Sequence, residues 1–332
     1  MDSRLGLDVV VFAMRQSFST QPAVFASQDL SDHPDLAALD GVEALLDWSR
    51  LEALLPQGED RRATGRPGYP ALTLFRALLL GLWYGLSDVR LSAQLARDLL
   101  FRKFCRLELD QGVPDDTTLG RFRTRLGDRT EPLLAEVNRA SEDARVILAE
   151  GRIAIVDATV VEAAQSRIST ADPEAGSRVK VSVTGRMQAG WGYQGFVNVD
   201  EDGFIHQVAV SPGNKAEVDR LEGLMTGGEV ALYADAADIG PRTRALMART
   251  GMADHVRRRG ARCHPLSEEN KARNIEIGVT RAGVERISGH MKRCWGMRRT
   301  PYPGLARTRT WFSLAALGWN LWKGARFQRR YG

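Results

Sequence analysis

The stretch Ile153-Ala154-Ile155-Val156-Asp157-Ala158-Thr159 is apolar and β-branched, and it carries a carboxylate at its end. Such a run reads as a strand packed inside a sheet. A buried charge is costly unless it is paired or binds a cation, so Asp157 needs a partner. The same pattern recurs at Val230-Ala231-Leu232-Tyr233-Ala234, which ends in Asp235. One aspartate at a strand end ordinarily caps a helix or opens a turn. Two in one region are more informative, because sites collect at strand ends in α/β sheets. They become neighbours only if their strands are adjacent.

A third acid lies in the segment from Arg281 to Arg293, RAGVERISGHMKR. At 3.6 residues per turn, Arg281, Glu285, Ser288, Gly289 and Lys292 fall on one face of a helix. Val284, Ile287, Met291 and Trp295 form a separate apolar stripe that can pack on a sheet. Alone, the polar face reads as solvated, with Arg281 and Glu285 as an i,i+4 pair worth about 0.2–0.5 kcal/mol. Two aspartates and a glutamate in one region suit hard divalent cations such as magnesium. Two such ions can activate a water or 3′-hydroxyl and stabilise the leaving oxygen in phosphodiester cleavage.

The rest of the chain divides at Gly151. Before it the sequence reads as all-helical. A weak helical periodicity runs over Leu36–Leu54, and a nearly continuous apolar helix follows Pro70. A second helix, DVRLSAQLARDLLFRKF, is capped by Ser87, and a third is capped by Asp116. A fourth runs through EPLLAEVNRASEDARVILAE to Gly151. After Gly151, strand, hairpin, helix, strand and helix describe an α/β region with a mixed sheet. The hairpin flanks an Asp200-Glu201-Asp202-Gly203 turn, the helix KAEVDRLEGLM follows it, and Gln165–Gly190 reads as a mobile loop.

The net charge of +5 is unevenly distributed. Residues 286–332 hold 11 Lys or Arg and no Asp or Glu, so the preceding 285 residues carry 35 basic and 41 acidic side chains, a net of −6. A basic block at one end points to a polyanion, most simply nucleic acid. Four of the seven Trp lie in the same tail and are expected mainly to pack the last helix on the sheet. Arg121, Arg123 and Arg125 on a short helix could read a DNA groove or form a solvated face. Cys105, Cys263 and Cys294 give neither a CxxC pair nor a disulfide framework, and Cys263-His264 has no second pair to complete a zinc site. No apolar run reaches the roughly 20 residues of a bilayer span, and the N-terminus lacks signal-peptide features, so a cytoplasmic protein without membrane association is expected.

The order D…D…E, with R-x3-E-x6-K at Arg281, Glu285 and Lys292, resembles the DDE transposases of bacterial insertion sequences. The closest likeness is to the insertion sequence five group. The segments GYPALTLFRALLLGLWYGLSDVRLSAQLARDLLFRKFC, VPDDTTLGRFRTRL and VERISGHMKRCWGMRRTPYPGLART are similar to that family, and the likeness runs from about residue 30 to about residue 320. It implies an α+β chain: an all-helical N-terminal domain over 1–150, for DNA binding or dimerisation, and an RNase H-like mixed-sheet catalytic domain over 151–332. It implies Asp157, Asp235 and Glu285 as a triad holding Mg2+, two ions with Mn2+ able to substitute. Arg281 and Lys292 are implied as DNA contacts near the cut, and Arg293, Arg298, Arg299, Arg307 and Arg309 extend that basic surface. The implied activity is cleavage at terminal inverted repeats and strand transfer into target DNA by a homodimer or larger assembly, in a nucleoid-associated bacterial protein. Alternatives are a nuclease without strand transfer and a catalytically impaired, transposase-derived DNA-binding protein. Two departures from the family pattern stand out. Ala236-Ala237-Asp238 replaces the usual Lys-Gly-Tyr, which makes Asp238 a rival ligand, and Gly278 replaces the tyrosine three residues before Arg281.

Overall fold

A computed structural model of the chain describes residues 37–57, 68–147, 152–164, 172, 174–181, 187–214, 221–236, 240–260 and 264–331. Helices come first: α1 Asp40–Ala44, α2 Trp48–Leu54, α3 Ala71–Trp83, α4 Asp88–Arg97, α5 Leu99–Cys105, α6 Asp116–Leu126 and α7 Thr130–Asp143. Helix α3 follows Pro70 as predicted, and Thr73 to Leu82 are buried along its length. Among the described residues no single helix is long and apolar enough to cross a membrane.

The predicted DVRLSAQLARDLLFRKF helix is two helices. Asp98 adopts an extended conformation and its carboxylate accepts from the Phe101 N–H, so it caps α5 where α4 would otherwise continue. Ser87 caps α4 as expected. The cap of α6 is Asp115 rather than Asp116, its carboxylate accepting from the Thr118 N–H at 2.7 Å. Helix α7 stops at Asp143, well short of Gly151. The chain turns through Arg145 at φ 57° and buries Val146 and Ile147 against Phe204.

The sheet contains β1 Ile153–Glu162, β2 Gly176–Val181, β3 Met187–Val199, β4 Ile205–Pro212, β5 Ala231–Ala234 and β6 Ala253–Val256. Its order is β2-β3-β1-β5-β6, with β4 on the other edge of β3. The pairs β1–β3, β2–β3 and β3–β4 are antiparallel, whereas β1–β5 and β5–β6 are parallel. With helices before and around it, this mixed sheet gives an RNase H-like α+β fold. The β3–β4 hairpin turns at Asp200–Gly203 as predicted, with Gly203 at φ +85°. The expected Gln165–Gly190 loop is corrected by β2 and the start of β3, which pair over Gly176–Val181 and Met187–Gly192. Of the predicted helix at Lys215–Met225, residues 215–220 lie outside the described residues, and Glu222–Leu224 is a short 3-10 turn.

Three further helices complete the chain: α8 Pro241–Thr250, α9 Glu268–Cys294 and α10 Leu305–Tyr331. Helix α8 covers one sheet face, where Leu246 packs with Val156, Phe196, Leu232 and Val256. The other face meets α9 and α10. Ile155, Val161 and Val199 share one core with Val284, Ile287 and Met291 of α9, with Trp311 and Leu317 of α10, and with Leu79, Leu91 and Phe122 of the helical region. Helix α10 is therefore packed between sheet and helices rather than on the sheet alone. That explains why Trp295, Trp311 and Trp319 are buried and unavailable for stacking on bases.

Candidate active site

Parallel pairing of β1 with β5 sets Ile153 beside Ala231 and Ile155 beside Tyr233. Side chains alternate along a strand, so the next residues on that face are Asp157 and Asp235. Ile155 and Tyr233 face the core shared with α9, so both aspartates are carried to the same side. Helix α9 crosses there, its predicted stripe of Val284, Ile287, Met291 and Trp295 buried as the spacing demands. The polar residues beside that stripe are brought over the point where β5 ends. Asp235 follows the end of β5 as expected, but β1 runs on past Asp157 to Glu162, paired with β3, so Asp157 lies within its strand rather than at its end.

Both aspartates face Arg281. Its Nη2 donates to Asp157 Oδ1 at 3.0 Å, and its Nη1 lies 3.5 Å from Asp235 Oδ1. The Arg281 side chain is 5% exposed, against 17% for Asp157 and 53% for Asp235. Arg281, expected to touch DNA, is thus turned inward between two carboxylates, because two buried or half-buried acids draw in the nearest cation. Glu285, one turn further along α9, is exposed, and its charge acts on Asp157.

Burial pushes the Asp157 carboxyl up to about 6. Arg281 opposes that rise, and the like charges of Glu285 and Asp235 add to it. Three carboxylates and one buried guanidinium leave a surplus of negative charge where a titrating acid is held off its ordinary value, a combination typical of functional sites. Carboxylate oxygens are the donors that Mg2+ prefers, so the chemistry of Asp157, Asp235 and Glu285 fits a divalent cation. Among the described residues no three acids, histidines or cysteines stand close enough, as placed, to share one ion. The Arg281 guanidinium spans the interval between the aspartates.

Two family models match the chain. Transposase domain (DUF772) covers residues 26–125, and Transposase DDE domain covers residues 148–321. The second alone spans more than half of the sequence. The chain belongs to the DDE transposases. It is an enzyme of an insertion element that acts on DNA. No solved structure matches it significantly.

The remaining basic residues of the transposase fall into distinct settings. Arg298 and Arg299 lie on a segment that bridges the end of β1: Glu162 N–H donates to the Arg298 carbonyl, and Thr300 N–H donates to the Glu162 carbonyl. Arg299 also pairs with the Glu162 carboxylate at 2.8 Å, half exposed on both sides. Lys292 is half-buried, whereas Arg293, Arg307 and Arg309 are exposed. Arg307 joins Arg121 and Arg125 around a groove of about 850 Å³ between α6 and the start of α10. Arg123 also borders that groove, but its charge is already paired. It is buried, forms a two-pronged pair with Asp88 at 2.8 and 2.5 Å, and lies over the Tyr302 ring. Asp238 and Cys263 fall outside the described residues. Sequence reasoning missed Arg257, which follows β6 and lies against Gly278 of α9. The available signal was a glycine in the middle of a long helix, where it is otherwise disfavoured.

Proposed function

We propose that this transposase binds terminal inverted repeats, cleaves DNA at their ends and joins the freed 3′-hydroxyl to target DNA. The observation that supports the reading is Asp157 and Asp235, on neighbouring parallel strands, facing one buried arginine, with the charge of Glu285 acting on Asp157. Asp157, Asp235 and Glu285 would hold the divalent cations, Mg2+ or Mn2+. Bound there, such ions polarise the scissile phosphate and lower the pKa of an attacking hydroxyl.

The chain's own groups do the rest. Arg281 neutralises the aspartates without DNA, and its two-pronged guanidinium suits a phosphate once the site is loaded. Lys292, two turns beyond Glu285, meets the backbone beside the cut. Water attacks phosphorus and the P–O3′ bond breaks, leaving a 3′-hydroxyl. That hydroxyl then attacks a target phosphorus and displaces a second 3′-oxygen. Arg293, Arg298, Arg299, Arg307 and Arg309, with the groove at Arg121 and Arg125, provide phosphate contacts that position the duplex. Residues 1–150 serve end binding and dimerisation, and residues 151–332 serve catalysis.

The test is an oligonucleotide duplex carrying the element end, supplied with Mg2+ and a target plasmid. Metal-dependent nicking and end joining are expected, both lost in Asp157→Ala. Nicking without joining would reduce the protein to a nuclease. Equal binding by wild type and Asp157→Ala with no cutting by either would leave a DNA-binding protein only.

A further inference from the structure

The conspicuous uncommitted cation beside the carboxylates is Arg257. Strand β6 pairs with β5 so that Ala234 stands opposite Val256, and the Arg257 N–H donates to the Ala234 carbonyl at 3.1 Å. One step further along both strands sets Arg257 level with Asp235. Tyr233 and His255 stack face to face with ring centroids 4.4 Å apart. By alternation Asp235 and Arg257 continue that face, the one under α9.

There the guanidinium rests against Gly278. A Cβ at that position would come within 2.3 Å of the Arg257 Nη2, and Arg257 supplies every atom within 4 Å. Gly278 sits inside a 27-residue helix, the setting in which glycine is least favoured among ordinary residues. The bare backbone is what admits the arginine. Among the described residues Arg257 has no carboxylate partner, and its Nε is buried without a hydrogen-bond partner. Buried donors are ordinarily satisfied.

Gly278, Glu285 and Lys292 are seven residues apart in turn, so they share one face of α9 at intervals of about 10 Å. Along one DNA strand the axial rise is about 3.4 Å per nucleotide. We propose that Arg257 is a phosphate contact about three nucleotides from the scissile bond, on the side opposite Lys292. A DNA strand lying along α9 then meets a cation, the carboxylates and a second cation in order. This rests on the reading of the site as a DNA-cleaving centre and adds the direction in which the strand runs through it.

The experiment uses the full chain and element-end duplexes, with wild type, Arg257→Ala, Gly278→Ala and Lys292→Ala. Gly278→Ala improves helix propensity and displaces only the mobile end of Arg257, so it is expected to fold at least as firmly as wild type. Expected for Arg257→Ala and Gly278→Ala alike is a slope of log binding constant against log salt shallower by about 0.7–0.9, one phosphate's worth. Replacing single phosphates by uncharged methylphosphonates should weaken wild-type binding at a position that no longer matters in either variant. Lys292→Ala should silence a different position across the cut. If wild type binds and cuts but both variants keep its slope and its methylphosphonate profile, the assignment of Arg257 is overturned. If wild type neither binds nor cuts, the reading of the site fails and this inference with it.

Discussion

The two ends of the sheet treat buried polar groups in opposite ways. In the hairpin-end cluster of Asp200, His206, Asn138 and Asn320 the side chains are paired within the protein, although the nearby Asn198 Oδ1 and Arg152 Nε are buried without a hydrogen-bond partner. Asp200 accepts from the Phe204 N–H and faces His206 Nε2 at 2.8 Å, and both residues are buried. Asn320 of α10 accepts from the Ile205 N–H at 2.9 Å and donates to the Ile205 carbonyl at 2.7 Å, standing in for a neighbouring strand at the start of β4. It also donates to the Asn138 side chain, which reaches back to the same carbonyl. At the other end carboxylates outnumber cations, Asp157 is held off its ordinary titration range, and Arg257 and Arg281 each bury an Nε without a partner. A satisfied network fixes one structure. An unsatisfied one is costly to keep, and beside a surplus of carboxylates it leaves donors and acceptors that a bound ligand can use.

The largest effect should come from the open end. Asp157→Ala should lower DNA cleavage by on the order of 10³-fold or more, with an unchanged circular dichroism spectrum. Loss of folding with loss of activity would make Asp157 structural, like Asp200.

The pH dependence comes next. The Asp157 carboxyl rises from its ordinary 3.8 to about 6. The folded chain therefore keeps a proton that the unfolded chain releases. The stability this group lends is full below about pH 4 and is lost as pH rises through about 6, at most about 3 kcal/mol in all. Denaturant titrations of the metal-free chain across that window should show the decline, and Asp157→Asn should flatten it. Mg2+ should raise the melting temperature more at pH 7.5 than at pH 5. A flat wild-type profile would break the contrast.

At the closed end, Asn320→Leu leaves the Ile205 N–H without its side-chain acceptor and the Ile205 carbonyl with the Asn138 donor alone. We expect a loss of about 2–3 kcal/mol in urea unfolding with cleavage retained at permissive temperature. A smaller expected effect separates neighbours on α6. Arg123→Ala, which breaks the pair with Asp88, should cost roughly 1–3 kcal/mol of stability. Arg121→Ala should leave stability alone and make the salt slope of DNA binding shallower by about 0.9. Smallest is Glu162→Gln, which removes an exposed pair with Arg299 and should change stability by under about 1 kcal/mol.

Much of the fold was legible because periodicity records which face of an element is apolar. The stripe Val284, Ile287, Met291 and Trp295, the strand at Asp157 and the Asp200–Gly203 turn were all readable in this way. The helix break at Asp98 was not, since an aspartate amid helix formers caps only when the chain is already bent. Strand β2 was missed because its sequence is polar and it pairs mainly with the first half of β3. Asp157 and Asp235 were legible as acids on the strands that meet α9, but the inward turn of Arg281 between them was not. A long arginine can extend to solvent or fold back over its own helix, and its spacing is the same in both cases.

The sequence by itself determined that two aspartates follow short apolar strand runs, that a glutamate shares a helix face with an arginine and a lysine, and that positive charge collects in the last 47 residues. Each is a local pattern, fixed by composition and by periods of two or 3.6 residues. Only the tertiary structure decided that β1 and β5 lie side by side in parallel, that Arg281 closes the gap between their aspartates, and that Arg257 reaches α9 through a missing side chain. Those are meetings of residues 20 to more than 120 positions apart, and they depend on which strands pair and which helix crosses them, neither of which a local pattern records.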